Sequence, residues 1–105
     1  MPTKEYAGKK VEIDEEGFMV DMNEWNEDIA KEIAKEDGIE ELTPRHYEIL
    51  HFMRKEYEEK GSAPSIRRLK NAGGIPVKDF YALFPKGPAK KSARAAGIPK
   101  PQGCV

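Results

Sequence analysis

Thr43-Pro44-Arg45-His46-Tyr47-Glu48-Ile49-Leu50-His51-Phe52-Met53-Arg54-Lys55-Glu56-Tyr57-Glu58-Glu59-Lys60-Gly61 is the stretch whose reading decides the fold. A threonine N-cap, a proline at the first helical position and a closing glycine predict one long helix between Thr43 and Gly61. Tyr47, Leu50, Met53 and Tyr57 are its expected buried face, with Ile49 and Phe52 flanking them. His46 falls in the first turn. His51 lies one turn after Tyr47 and near Arg54, so these three are expected to share a polar and aromatic edge. No second His, Cys or carboxylate accompanies His51 at ligand spacing, so no metal site is expected.

Working outward, Ser62-Ala63-Pro64-Ser65 breaks the chain, and Ser65 caps a short basic helix, Ile66-Arg67-Arg68-Leu69-Lys70. Gly73-Gly74 ends it. Pro76 leads into a helix over 77–84 with Phe80, Leu83 and Phe84 on its apolar side. Pro85-Lys86-Gly87-Pro88 forces a turn before a last helix over 89–96, which Gly97 stops. Upstream, Asn26 caps a first helix that Gly38 terminates, with Ile29, Ile33 and alanines as its stripe. Trp25, just before that cap, is expected to be a packing anchor. Alternating apolar positions around an acidic turn predict a β-hairpin within 10–20, pairing 11–13 with 18–20.

The expected fold is therefore mainly α: a compact bundle of about five helices with a helix-turn-helix-like element and an N-terminal β-hairpin. A single domain over 1–96 is followed by a flexible, mobile C-terminal arm over 97–105.

At 105 residues, 35 % of them charged, with a mean hydropathy of -0.75, the chain is one small and very polar domain. The net charge of -1 hides an asymmetry. Residues 1–60 carry -9, while 61–105 carry +8 with Asp79 as their only acid. That basic half offers a surface to an acidic partner or to nucleic acid, or simply attracts the acidic half within the fold. No apolar run approaches the ~20 residues of a membrane span. Residues 1–5 lack the apolar stretch of a signal peptide. No membrane insertion and a cytoplasmic location are expected, where the single cysteine persists as a free thiol.

That cysteine, Cys104, lies in Gly97-Ile98-Pro99-Lys100-Pro101-Gln102-Gly103-Cys104-Val105. A thiol there has no chain around it to help build a core, and its position points to chemistry on a projecting arm. Pro99 and Pro101 stiffen the arm, and Gly103 leaves room beside the sulfur. From Gly97, seven residue steps give a reach of ~23 Å. Lys100 on the tail, with Lys86, Lys90, Lys91 and Arg94 near its root, can lower the thiol pKa if the arm folds back, an effect the terminal carboxylate opposes. Arg67, Arg68 and Lys70 are candidates for docking charge, and Tyr81 for packing on the arm.

Phe80-Tyr81-Ala82-Leu83-Phe84-Pro85-Lys86-Gly87-Pro88-Ala89-Lys90, followed by Ala96-Gly97-Ile98-Pro99-Lys100-Pro101-Gln102-Gly103-Cys104-Val105, resembles the C-terminal signature of the DsrC/TusE family of sulfur-relay proteins. One branch of that family is the gamma subunit of dissimilatory sulfite reductase. Asp14-Glu15-Glu16-Gly17-Phe18, Trp25, Leu42-Thr43-Pro44 and Ala63-Pro64-Ser65-Ile66-Arg67 fall in family order, so the resemblance spans nearly the whole chain. It implies that Cys104 carries sulfur. It also implies, for the sulfite reductase branch, a second cysteine eleven positions upstream, where this chain has Ala93. An intramolecular disulfide or trisulfide is therefore unavailable here. A persulfide on Cys104, or a mixed disulfide with another protein, remains.

The leading expectation is a sulfur carrier that passes a persulfide between partners. Those partners are sulfurtransferase or sulfite reductase-type proteins engaged through the arm, with an indirect association with tRNA if the pathway is tRNA 2-thiolation. Such a chain is a protein substrate more than a self-sufficient enzyme; as an enzyme it would be a sulfurtransferase. It needs no cofactor and no metal. The alternative is a nucleic-acid-binding regulatory module, with Arg67, Arg68 and Lys70 on a recognition helix. Its acidic N-terminal half and pI of 6.1 weigh against that reading. A thiol enzyme finds no Cys–His–acid arrangement at recognisable spacing.

Overall fold

The computed structural model describes residues 2–99. Two strands, β1 (Thr3–Tyr6) and β2 (Lys9–Glu12), precede a 3-10 turn at Met22–Glu24. Five helices follow: α1 (Glu27–Glu36), α2 (Pro44–Lys60), α3 (Ile66–Asn71), α4 (Val77–Leu83) and α5 (Pro88–Ala95). The mainly helical class, the helix count and the hairpin agree with the sequence reading.

The hairpin sits earlier than expected. β1 and β2 pair antiparallel from Thr3–Glu12 to Tyr6–Lys9. Ala7 and Gly8 form the two-residue loop, both at positive φ (52° and 78°), as a type I′ turn requires. Of the expected pairing of 11–13 with 18–20, one bridge remains, Ile13 with Met19. Asp14 explains the difference. Its carboxylate accepts hydrogen bonds from the amides of Glu16 and Phe18, closing a tight loop where a ladder would have run.

α2 begins and ends where its signals place it. Thr43 caps it, and its own amide donates to His46 Nδ1 at 3.0 Å, closing a capping box. Gly61 terminates it in the left-handed region. Its buried face, however, is His46, Ile49, Leu50, Met53 and Glu56, while Tyr47, Phe52 and Tyr57 are half-buried. The helix is rotated relative to the apolar pattern because both polar residues are satisfied inside. His46 Nε2 lies 3.0 Å from Leu83 O. Glu56, with only 6 % of its side chain exposed, takes two bonds from Arg68 at 2.7 and 3.3 Å.

That ion pair ties α3 back onto α2 across the break at 61–64. Arg68 holds the Glu56 carboxyl below its ordinary value of 4.5, against the opposing effect of burial. A carboxyl with a lowered folded-state pKa contributes stability that is complete above the unfolded value and is lost as pH falls through the folded one. Arg68→Met is therefore expected to lower the melting temperature by several degrees at pH 7. The gap should narrow as pH falls below 4.5 and close only once it has passed the lowered folded-state value, where Glu56 is neutral in both proteins. Melting curves across that range check it, and a pH-independent gap would contradict it.

α1 presents two buried faces. Ile29 and Ile33 pack with Tyr6, Val11 and Met19 beneath the hairpin, while Ala30 and Ala34 belong to the main core with Leu50, Met53, Phe80 and Phe84. α5 packs against α1, α2 and α4. Of its buried residues, Ser92, Ala93 and Ala95 are small, which lets its backbone approach its neighbours closely. Trp25 packs against both clusters, as its reading as an anchor requires.

Candidate functional site

The root of the candidate arm is the end of α5. Gly97, at φ 71°, ends the helix in a Schellman motif: the Gly97 amide donates to Arg94 O at 3.1 Å and the Ile98 amide to Ala93 O at 3.2 Å. Ile98, the residue that completes the motif, is fully buried. Packing thus continues through Ile98. Pro99 is half-buried. Lys100, Pro101, Gly103 and Cys104 lie outside the described residues.

Two carbonyls of the last turn are held by side chains from distant segments. Trp25 Nε1 donates to Ala95 O at 2.7 Å, and Arg54 Nη1 donates to Ala96 O at 2.9 Å. The other terminal nitrogen of Arg54 donates to Met22 O at 2.9 Å, and its guanidinium lies 4.2 Å from the Trp25 ring centre. Burial lowers the Arg54 pKa, with Glu58 opposing. His51 meets the Trp25 ring edge-on at 5.6 Å and lies 3.0 Å from the Glu27 carboxylate. The polar and aromatic edge expected for His51 and Arg54 exists, then, but Trp25 is its aromatic centre in place of Tyr47. The sequence reading missed this clamp. Its signals were an anchor tryptophan and a helix end with carbonyls to satisfy.

Lys86, Lys90, Lys91 and Arg94 line one cleft of about 290 Å³ beside the start of α5, together with Glu16 and Asp37. The cleft brings Lys86, Lys90 and Arg94 together, with different commitments to the fold. Lys86 and Lys90 are exposed. Lys91 Nζ donates to Pro85 O at 2.7 Å. Arg94, 15 % exposed, is committed to the fold. It donates to Gly17 O at 3.1 Å, Asp37 Oδ1 at 2.7 Å, Glu36 Oε1 at 2.8 Å and the Tyr6 hydroxyl at 3.3 Å. Burial works against its charge, yet Glu36 and Asp37 outweigh burial and raise its pKa. Tyr81, half exposed, is on α4, and Arg67 is exposed on α3 beside the paired Arg68. Ala93 is completely buried in the main core.

Among the described residues no group of three or more His, Cys, Asp or Glu side chains is placed to hold a metal ion. No described helix is long and apolar enough to cross a membrane.

A small helical domain with an N-terminal hairpin, whose last helix is clamped at its C-terminal end just before a segment bearing the lone cysteine, defines the class. The chain belongs to the DsrC family, whose model, described as "DsrC like protein", matches residues 5–105. It is 38% identical to the gamma subunit of dissimilatory-type sulfite reductase from Nitratidesulfovibrio vulgaris, over 95% of each chain. It is also 38% identical to sulfurtransferase TusE of Escherichia coli K12, over 95% of this chain and 97% of that one. Among solved structures, DsrC of Allochromatium vinosum superposes with a TM-score of 0.84 at 44% identity, covering 98% of this chain and 97% of the other. The oxidized gamma subunit from Archaeoglobus fulgidus gives 0.79 at 38% identity, covering 99% and 100%.

Proposed function

We propose that this chain is a sulfur carrier that holds one sulfur atom as a persulfide on Cys104 and hands it from a donor protein to an acceptor. The observation that carries the reading is the near full-length kinship with both a sulfurtransferase and a sulfite reductase gamma subunit, in a chain with a single cysteine. In the loading step the Cys104 thiolate attacks the outer sulfur of the donor's persulfide. A new S–S bond forms at Cys104, the donor's S–S bond breaks, and its electron pair leaves with the donor thiolate. Delivery repeats the same exchange on the acceptor, so neither step needs an external oxidant or reductant.

The anchored root supports this use. With Ile98 packed, five residue steps separate Pro99 from Cys104, a reach of ~17 Å, enough to enter a recessed partner site. Prolines at 99 and 101 limit the entropy lost on insertion. Because Ala93 is a buried methyl, the carrier works with one thiol, and its sulfur is discharged to another protein and not to a partner cysteine of its own. The pathway on either side is sulfite reduction or tRNA thiolation. The nucleic-acid-binding alternative is less favoured because Arg68, central to the supposed recognition helix, is bonded to Glu56.

The test follows labelled sulfur. A persulfidated sulfurtransferase carrying radiolabelled sulfur is expected to label the wild-type chain, which then labels an acceptor thiol protein. Cys104→Ser is expected to take up no label and to stop the flow completely. Equal flow through Cys104→Ser would end the carrier reading.

A further inference from the structure

We infer that Trp25 and Arg54 are positioning residues: they fix the direction in which the segment bearing Cys104 leaves the body. The functional consequence rests on the carrier reading; the geometry does not. A helix C-terminus leaves its last four carbonyls without intrahelical partners. In α5 the Schellman motif satisfies Ala93 O and Arg94 O from the following amides. Ala95 O and Ala96 O remain, and surface helices commonly leave such carbonyls to water. Here each is taken by a side chain, from 70 and 42 residues away in sequence.

Both donors are themselves immobilised. Arg54 divides its fork between Ala96 O and Met22 O and stacks on Trp25, so the indole, the guanidinium and the peptide planes form one block. The Arg54 charge also lies at the negative end of α5, where it is favourable. Gly97 completes the fit, since a Cβ there would lie 2.5 Å from Trp25 Cδ1. Two consecutive peptide groups are thereby locked to α2 and to the segment before α1, immediately before the chain continues towards Cys104. Sulfur exchange needs the reacting atoms within about 3–3.5 Å and aligned.

Trp25→Phe keeps an aromatic ring and removes the N–H; Arg54→Lys keeps the charge and cannot fork. Each is tested in the full chain by three readouts. One is the distance distribution between a spin label on Cys104 and one on Glu59→Cys, an exposed site on α2. The second is the second-order rate of sulfur transfer from a persulfidated sulfurtransferase. The third is alkylation of Cys104 by iodoacetamide. The expected result is a broadened distribution and a transfer rate lower by about tenfold, with alkylation within about twofold of wild type. Wild-type widths in both variants would overturn the inference, as would broadened widths with undiminished transfer. If the wild type itself takes up no sulfur, the carrier reading fails, and the distribution still decides whether these two side chains set the direction.

Discussion

Arg94→Met is expected to cost about 3 kcal/mol, lowering the melting temperature by about 12 °C or more, because it breaks a largely buried ion-pair network from one side. Arg94 joins α5 to the end of α1, to the loop at Gly17 and to β1 through Tyr6. Its removal leaves Asp37, whose side chain is 18 % exposed and whose Oδ2 is buried with no hydrogen-bond partner among the described residues. Glu36 keeps Lys4 and the Tyr6 hydroxyl, so Asp37 carries most of the penalty. Arg94→Lys retains the charge but cannot serve four acceptors, and an intermediate loss is expected. For Glu36, burial opposes ionisation, but Lys4, Arg94 and Tyr6 prevail and hold its carboxyl below 4.5. Its share of the stability is present above that value and is lost as pH falls through the lowered one, so the deficit of Arg94→Met should shrink in acid. Thermal melts at pH 7 and about pH 3 read both effects. A variant as stable as wild type would show that the network is dispensable.

Gly97→Ala is expected to destabilise by about 2–4 kcal/mol, a sum of left-handed backbone strain and overpacking. The φ of 71° accounts for the first part. For the second, the new methyl would meet Trp25 Cδ1 at 2.5 Å and Cγ at 2.8 Å. Trp25 cannot swing aside without giving up its bond to Ala95 O and its stacking with Arg54. Gly38→Ala is the internal control. It shares a positive φ, 87°, but a Cβ there meets nothing within 4 Å, so only the strain of about 1 kcal/mol applies. Denaturant melts of the two variants separate the terms. Equal losses would mean that the indole yields freely.

Much of the fold was legible because it was written in local signals. The caps at Asn26, Thr43 and Ser65 and the stops at Gly38, Gly61 and Gly97 act within a few residues, and the helices they bound lie where they put them. The hairpin was misplaced because Ala7-Gly8 is a weaker turn signal than an acidic run ending in glycine, and only Tyr6 and Val11 of β1 and β2 are buried. The rotation of α2 was hidden in His46 and Glu56. A buried polar residue is tolerated only with a partner, and their partners, Leu83 O and Arg68, arrive from other elements. The site divided along the same line. Grouping Lys86, Lys90 and Arg94 followed from spacing on and beside one helix, but the commitment of Arg94 to Gly17, Glu36 and Asp37 needed the fold. So did the clamp on α5, whose members are separated by tens of residues.

The clamp and the single thiol together define the proposed device: a fixed root, a segment carrying Pro99 and Pro101, and one thiol to hold the sulfur. Its central claim is that Cys104 holds the sulfur. The most direct measurement is mass spectrometry of the intact chain and its C-terminal peptide after incubation with a persulfidated sulfurtransferase. The account predicts a gain of one sulfur atom, mapped to Cys104 and released by a thiol reductant. A Cys104 that alkylates readily yet gains no sulfur from the donor would contradict it.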